Sequence, residues 1–393
     1  MKGIGWKKRL VCLLLALFVL SWGGGCRRNE NQQTSMNKMS VEESHFGILP
    51  EGEVKVYSLR NGQGQKVVIS SYGATLMRWI VPDKEGRMED VLLGFNDLSG
   101  YTGNHPYFGS LVGRYANRIA GGSFPLAGET YTLARNNGPN ALHGGPGGFH
   151  RKLWDAQVIK GEESVGVLLK RLSPDGEEGY PGNLQVEVVY RFNQAGELSI
   201  SYTATTDRPT PVNLTNHAYF NLKGEGKGDI LEHYLRIYAE RFTPVDSTLI
   251  PLEDHRQVEG TPFDFRNWHA IGERVNAEEE QIIRGKGYDH NFVLNNQDTG
   301  LFLAAQVWEP VSGRLLEVRT TQPGMQFYCG NFLDGKLTGK RGKSYEKRSG
   351  FCLETQHFPD SPNHPTFPST VLRPGDVFRS QTIYTLKTSE KRP

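Results

Sequence analysis

Little in this sequence points to cysteine chemistry, nucleic acid or a membrane-spanning body. Only four of the 393 residues are cysteine, too few for a disulfide-held scaffold of this length. The charges nearly cancel, at a formal +2, and no basic block could track a phosphate backbone, so no nucleic-acid partner is expected. GEGKG (224–228) shares only its glycines and lysine with a phosphate loop; the Lys-Ser/Thr pair and the following helical pattern are missing. Helical periodicity is scarce, with residues 277–284 as the best short candidate. No internal repeat or low-complexity segment interrupts the chain. The longest apolar run, residues 10–22, is short for a transmembrane helix.

What is present at the N-terminus reads as an address. Lys2, Lys7, Lys8 and Arg9 precede the apolar run, and Gly23, Gly24 and Gly25 lead to Cys26. This layout predicts a secretory signal over 1–25 and resembles a bacterial lipoprotein signal, with Cys26 lipidated. Gly23 stands where such signals usually carry Leu. Residues 26–46 are polar and read as a disordered tether. The expectation is therefore an exported protein, periplasmic or in the cell envelope, whose membrane contact is a lipid at Cys26. Without residues 1–26, which hold those four cations and no acid, the formal charge of +2 becomes −2.

From residue 47 to about 390 the pattern is that of one all-β domain. Leu184, Val186 and Val188 alternate with Gln185 and Glu187, and Leu198, Ile200 and Tyr202 alternate with Ser199 and Ser201. Further strands are expected at 54–59, 66–70, 75–81, 166–169, 234–237, 301–307 and 315–320. Turn pairs punctuate them: Asn61-Gly62, Asp175-Gly176, Ala195-Gly196 and Ser312-Gly313. With 46 Gly, 16 Tyr and 19 Phe, the composition suits a single large antiparallel β-sandwich. Cys329 and Cys352 are expected as buried thiols rather than a bridge.

Six segments do not look like ordinary strands: GRYANRIAGGSF (113–124), ALHGG (141–145), NLTNHAYFNL (213–222), GYDHNFVL (287–294), QFYCGNFLDG (326–335) and CLETQHFPDSPNHP (352–365). Together they supply Arg, His, Asp and Glu beside aromatic rings, a mixture that suits a sugar: rings stack on its apolar faces and polar groups bind its hydroxyls. In order and spacing, the six resemble the aldose 1-epimerase (galactose mutarotase) family. The resemblance implies a galactose mutarotase-like supersandwich that interconverts the α and β anomers of a free hexose such as galactose or glucose. It implies Glu354 as catalytic base and His217 as catalytic acid. It also implies Arg118, Asn117, His143 and Asp289 as residues that bind the sugar. Ring opening requires a base at the C1 hydroxyl and an acid at the ring oxygen, with no redox change. Imidazolium suits the acid role, and neither metal nor other cofactor is expected.

Each residue also has a plain structural reading. A histidine in a strand-rich chain is often a core residue, and Arg118 could cap a turn. Asp289 could bond its own backbone, and Glu354 on a strand could face solvent opposite Leu353. His357, Asp360 and His364 could be drawn as a metal site, but their spacing fits no zinc pattern and a loop with surface histidines is expected. Three other functions remain open on these residues: a glycoside hydrolase or lyase using Asp289 and Glu354, a non-catalytic sugar-binding lipoprotein, and an epimerase for hexose 6-phosphates. The oligomeric state and preferred sugar are not legible.

Overall fold

The alternation at 184–206 is realised as strands Leu184–Asn193 and Glu197–Thr206, whose side chains are buried at every second position. In this computed structural model, which describes residues 38–295 and 300–393, they form the middle of a nine-stranded sheet. Its order is Asp155–Lys160, Ser164–Ser173, Leu184–Asn193, Glu197–Thr206, Phe378–Thr388, Arg314–Thr320, Phe302–Trp308, Tyr234–Ile237 and His269–Ala270. All pairs are antiparallel, so the sheet alternates between an apolar face and a wetter one.

A five-stranded meander, running from Ser40–Leu49 through Gly52–Arg60, Lys66–Ser70 and Leu76–Pro82 to Met88–Asp90, covers part of the apolar face. Tyr57, Leu59, Val67, Ile69 and Trp79 join Val186, Val188, Tyr190, Ile200 and Tyr384 in one core. Trp79 meets Phe192 edge-on at 6.3 Å, and the Tyr190 hydroxyl donates to the carbonyl of Ala74 at 2.7 Å. Two faces alternating at period two, one from each sheet, interdigitate to make this core.

A second five-stranded sheet carries the site. It runs Arg256–Gln257, Ala239–Phe242, Asp289–Leu294, Gly324–Tyr328, Cys352–Gln356. Every residue of Gly324–Tyr328 and of Cys352–Gln356 is buried. Thr355 Oγ1 meets Thr382 Oγ1 at 2.6 Å, and the Tyr384 hydroxyl donates to the carbonyl of Leu353 at 3.3 Å, tying the last strand to the nine-stranded sheet. Asp289–Leu294, Gly324–Tyr328 and Cys352–Gln356 are ordinary strands enclosed on both faces, so the alternation expected of a half-solvated strand is missing from them.

The all-β expectation holds, and the expected strands are present within small shifts of their ends. The short helix expected over 277–284 is Glu280–Gly285, capped by Glu279, whose carboxylate accepts from the backbone N–H of Gln281 and Ile282. The tether expected over 26–46 is shorter at its C-terminal end: Ser40–Leu49 is a strand paired along its length with Gly52–Arg60. Its register is stapled by side chains such as Lys55 Nζ on Glu43 at 2.6 Å. Residues 1–25, Cys26 and the tether up to residue 37 lie outside the described residues. Among the described residues no helix is long and apolar enough to cross a membrane. Cys329 and Cys352 are both free and buried.

One backbone contact transmits the fold to the site. Gly109, at φ +66°, accepts from the backbone N–H of Leu76 at 2.8 Å and donates its own N–H to the carbonyl of His217 at 2.9 Å. A Cβ there would stand 2.0 Å from the Leu76 carbonyl oxygen. Gly109→Ala should therefore cost at least about 2 kcal/mol in urea unfolding and lower any activity that depends on His217, per folded molecule. A variant as stable and active as wild type would show that this contact does not hold His217.

Candidate active site

A cavity of about 530 Å³ opens between the loops at one end of the second five-stranded sheet. All six expected site residues line it: Asn117, Arg118, His143, His217, Asp289 and Glu354. Each is buried, at 7% exposure or less, so the plain reading of Glu354 as a solvent-facing strand residue does not hold.

His217 follows the short strand Thr215–Asn216, which pairs with Leu111–Val112. Its backbone N–H donates to the carbonyl of Ser110 at 2.9 Å. The imidazole has two near-parallel ring neighbours, Tyr219 at 5.1 Å and Tyr107 at 5.8 Å between centres. His143 stands edge-on at 5.1 Å and Tyr328 at 6.5 Å. Held among these rings, the imidazole turns Nε2 to Glu354 Oε1 at 3.6 Å and Nδ1 to Cys352 Sγ at 3.5 Å. Cys352 and Glu354 are two residues apart on one strand and therefore share a face.

Asn117 and His143 clasp each other. The backbone N–H of His143 donates to the carbonyl of Asn117 at 3.0 Å, and the backbone N–H of Asn117 donates to His143 Nδ1 at 3.1 Å. Both residues sit at positive φ, 65° and 53°, which the closed loop compels. The second bond fixes a tautomer: Nδ1 is an acceptor, so the neutral ring carries its proton on Nε2. His143 is thus a standing donor.

Arg118, on a two-residue strand paired with Ala141–Leu142, is held by the side-chain oxygens of Asn137 (Nε, 3.0 Å) and Asn117 (Nη1, 3.4 Å). Asp289 begins a strand instead of closing a turn and accepts from Gln326 Nε2 at 2.7 Å. Gln326, opposite Glu354 in register, lies in a segment the sequence singles out, yet its role is invisible there because it acts through Asp289. Tyr107, which touches the rings of His143, His150 and His217, gives no signal beyond its aromatic character.

Burial dominates the electrostatics. It pushes Glu354 well above the ordinary carboxylate range, reinforced by the charge of Asp289 and opposed by Arg118. Asp289 is raised for the same first reason. Burial lowers His217 to about 3, and His143 is driven well below its usual value by burial and by the neighbouring His217 and Arg118. An imidazolium at His217 is thus less favoured than its usual range suggests. Glu354 Oε2 is buried with no hydrogen-bond partner in the protein, an acceptor left unsatisfied.

The ligating atoms of His143, His217 and Glu354 fall within 4.8 Å of one another, close enough to invite a metal reading. His143 does not fit it. With Nδ1 already accepting from Asn117, a metal on Nε2 would need a doubly deprotonated ring. His357, Asp360 and His364 do not gather as a metal cluster among the described residues. Correcting the expectation of surface histidines, His357 and His364 are half-buried, the latter 3.2 Å from Asp360 Oδ2.

A family profile described as aldose 1-epimerase matches residues 55–385. The chain belongs to the aldose 1-epimerase family. It is 49% identical to galactose mutarotase of Bos taurus over 348 residues, 88% of this chain and 98% of that protein. It is 41% identical to aldose 1-epimerase of Escherichia coli K12 over 341 residues, 86% of this chain and 96% of that one. Among solved structures, galactose 1-epimerase from Lactobacillus acidophilus superimposes with a TM-score of 0.80 at 27% identity, covering 90% of this chain and all of that one. An aldose epimerase homologue from C. elegans superimposes with a TM-score of 0.76 at 31% identity, covering 89% and 99%. The chain is an aldose 1-epimerase, an isomerase acting on a monosaccharide.

These relatives overturn the expectation of an exported, periplasmic or cell-envelope lipoprotein anchored through Cys26. The relatives at 47–49% identity are mammalian galactose mutarotases, not exported bacterial lipoproteins. The expectation rested on a short basic-then-apolar segment, read from composition alone and lacking the usual Leu before the cysteine.

Gln326→Leu should free Asp289 from its donor and raise KM about 10-fold with a smaller change in kcat, the cost of one charge-assisted hydrogen bond. Steady-state mutarotation kinetics decide it; an unchanged KM would show that Asp289 holds its orientation without Gln326.

Proposed function

We propose that Glu354 is the base and His217 the acid of this aldose 1-epimerase, acting on galactose and glucose. Carrying this reading is one observation: Glu354 Oε1 and His217 Nε2 face each other at 3.6 Å across the inner end of the cavity. The base takes the proton of the C1 hydroxyl while the acid gives one to the ring oxygen, and the C1–O5 bond breaks. Rotation about C1–C2 turns the other face of the aldehyde, and closure reverses both transfers.

The electrostatics support the direction of these steps. A charged pair, Glu354 carboxylate and His217 imidazolium, becomes a neutral pair as the ring opens. Burial raises Glu354 and lowers His217, so the environment favours discharging both groups. Arg118, which opposes the rise at Glu354, stabilises the ionised base before transfer. Ring opening is thereby assisted at both protons, and closure restores the charged pair.

Arg118, His143 and Asp289 bind hydroxyls in this reading, with Asn117 holding His143 and Arg118. A donor (His143 Nε2–H), a cation and a buried carboxylate around one cavity can discriminate between sugars by leaving polar groups unpaired in the wrong one. Galactose is favoured as a substrate by the names of relatives, galactose mutarotase in mammals and galactose 1-epimerase in Lactobacillus acidophilus. For a hydrolase the carboxylate of Asp289 would have to serve as an acid, a base or a nucleophile; here it is held by Gln326.

Polarimetry on freshly dissolved α-D-galactose and α-D-glucose tests the assignment. Glu354→Gln and His217→Asn should each lose about 10²–10⁴-fold in kcat. A variant that keeps wild-type kcat would remove its residue from the acid–base pair. The pH profile of kcat/KM should be a broad bell whose limits belong to the pair. At low pH both groups are protonated and the base is lost; this limb lies below the ordinary histidine range, because His217 is lowered. At high pH both are deprotonated and the acid is lost; this limb lies above the ordinary carboxylate range, because Glu354 is raised. A profile with only one limb would contradict a two-group mechanism.

A further inference from the structure

An acid that must lose and regain one proton at one ring nitrogen needs the other nitrogen settled. In His217, Nε2 faces Glu354 and Nδ1 faces the sulfur of Cys352 at 3.5 Å. The thiol is fully buried. Its place follows from strand geometry, since Cys352 and Glu354 project from the same face of Cys352–Gln356 and bracket one imidazole. The remaining neighbours engage the ring otherwise. Tyr107 and Tyr219 lie near-parallel to it, and His143 and Tyr328 meet it edge-on.

We propose that Cys352 is a positioning residue for mutarotation: its sulfur accepts the Nδ1–H of His217, so that Nε2 alone gains and loses the catalytic proton. The proposal rests on the reading of His217 as the acid. In the protonated ring, Nδ1–H points at sulfur and Nε2–H at the ring oxygen of the sugar. When Nε2–H passes to that oxygen, the ring is left neutral with its proton on Nδ1 and a bare Nε2, ready to take the same proton back. Nothing transfers to or from sulfur.

The choice of sulfur has a chemical consequence. A carboxylate at Nδ1 would stabilise the imidazolium strongly and blunt it as an acid. A thiol is a weak acceptor. Burial and the nearby Glu354 and Asp289 hold this one well above its usual range, so it stays a neutral S–H. It orients the ring without tying up its charge, in keeping with the lowered position of His217, to which burial contributes most and the repulsion of His105 adds. The two histidines of the site are then opposites: Asn117 N–H makes His143 a fixed Nε2–H donor, and Cys352 makes His217 the ring whose Nε2 cycles.

Nitrogen-15 correlation NMR on the full chain, labelled at histidine, reads the tautomer directly, with His217→Asn supplying the assignment. Above the acid limb, neutral His217 should carry its proton on Nδ1; a proton on Nε2 overturns the proposal without any variant of Cys352. Cys352→Ala should lower kcat about 10-fold with KM within 2-fold, the size expected for one neutral hydrogen bond. Cys352→Ser should recover kcat to within about 3-fold of wild type and move the acid limb to higher pH, because a hydroxyl oxygen accepts better and favours the imidazolium. If Cys352→Ala fails to fold, the wild-type tautomer and the Cys352→Ser limb still decide. A Cys352→Ala enzyme with unchanged kcat and pH profile, alongside an inactive His217→Asn, overturns the role of the thiol and leaves His217 as the acid. An active His217→Asn overturns the acid assignment itself.

Discussion

A carboxylate and an imidazole 3.6 Å apart, both out of reach of bulk water on one side, set the terms for the rest of the molecule. Either charge is costly to bury alone. The fold meets that cost with rigidity. Glu354 sits on a strand buried on both faces, and the His217 ring is packed among those of Tyr107, His143, Tyr219 and Tyr328. Neither group can swing away to find solvent, so each must find its partner in the other or in the sugar. Backbone bonds from His217 to Ser110 and Gly109 carry this rigidity back to the main core.

The same constraint explains the surrounding loops. Arg118 is the cation that offsets the buried carboxylates, and it is itself fixed by Asn117 and Asn137. Asn117 and His143 adopt strained left-handed backbone so that each can bond the other. Strain of this kind survives only where neighbouring contacts over-determine it, and here the contacts come from the pairing of Arg118–Ile119 with Ala141–Leu142.

Legibility followed the physics of burial. Where one face of a strand meets water, as in Leu184–Asn193, the period-two pattern is written into the residues, and the strand and its turns could be read off. Where a strand is enclosed on both sides the pattern vanishes; Asp289–Leu294, Gly324–Tyr328 and Cys352–Gln356 looked irregular for that reason. Six segments stood out because they combine polar groups with glycine and aromatics, and the family resemblance picked the six candidate residues out of them. Gln326 and Tyr107 were not picked out, since their work is done through Asp289 and through the histidine rings, and only the fold puts those neighbours together. The N-terminal address misled because it was read from composition alone.

Burial sets how readily each histidine of this site is charged, and the hydrogen bond at the far nitrogen bears on which nitrogen holds the proton of the neutral ring. Two buried histidines, 5.1 Å apart between ring centres, experience similar desolvation, and burial lowers both. Desolvation alone cannot assign one to binding and the other to acid catalysis. Their far nitrogens differ: a backbone N–H at Nδ1 of His143 forces that nitrogen to accept, whereas a sulfur at Nδ1 of His217 can accept a hydrogen bond from it. A donor that cannot release its last proton without becoming an anion is suited to holding a hydroxyl. A ring whose far nitrogen keeps its own proton is suited to lending the near one. In the proposed reading, the division of labour between His143 and His217 follows from one loop at positive φ and one cysteine two residues before Glu354.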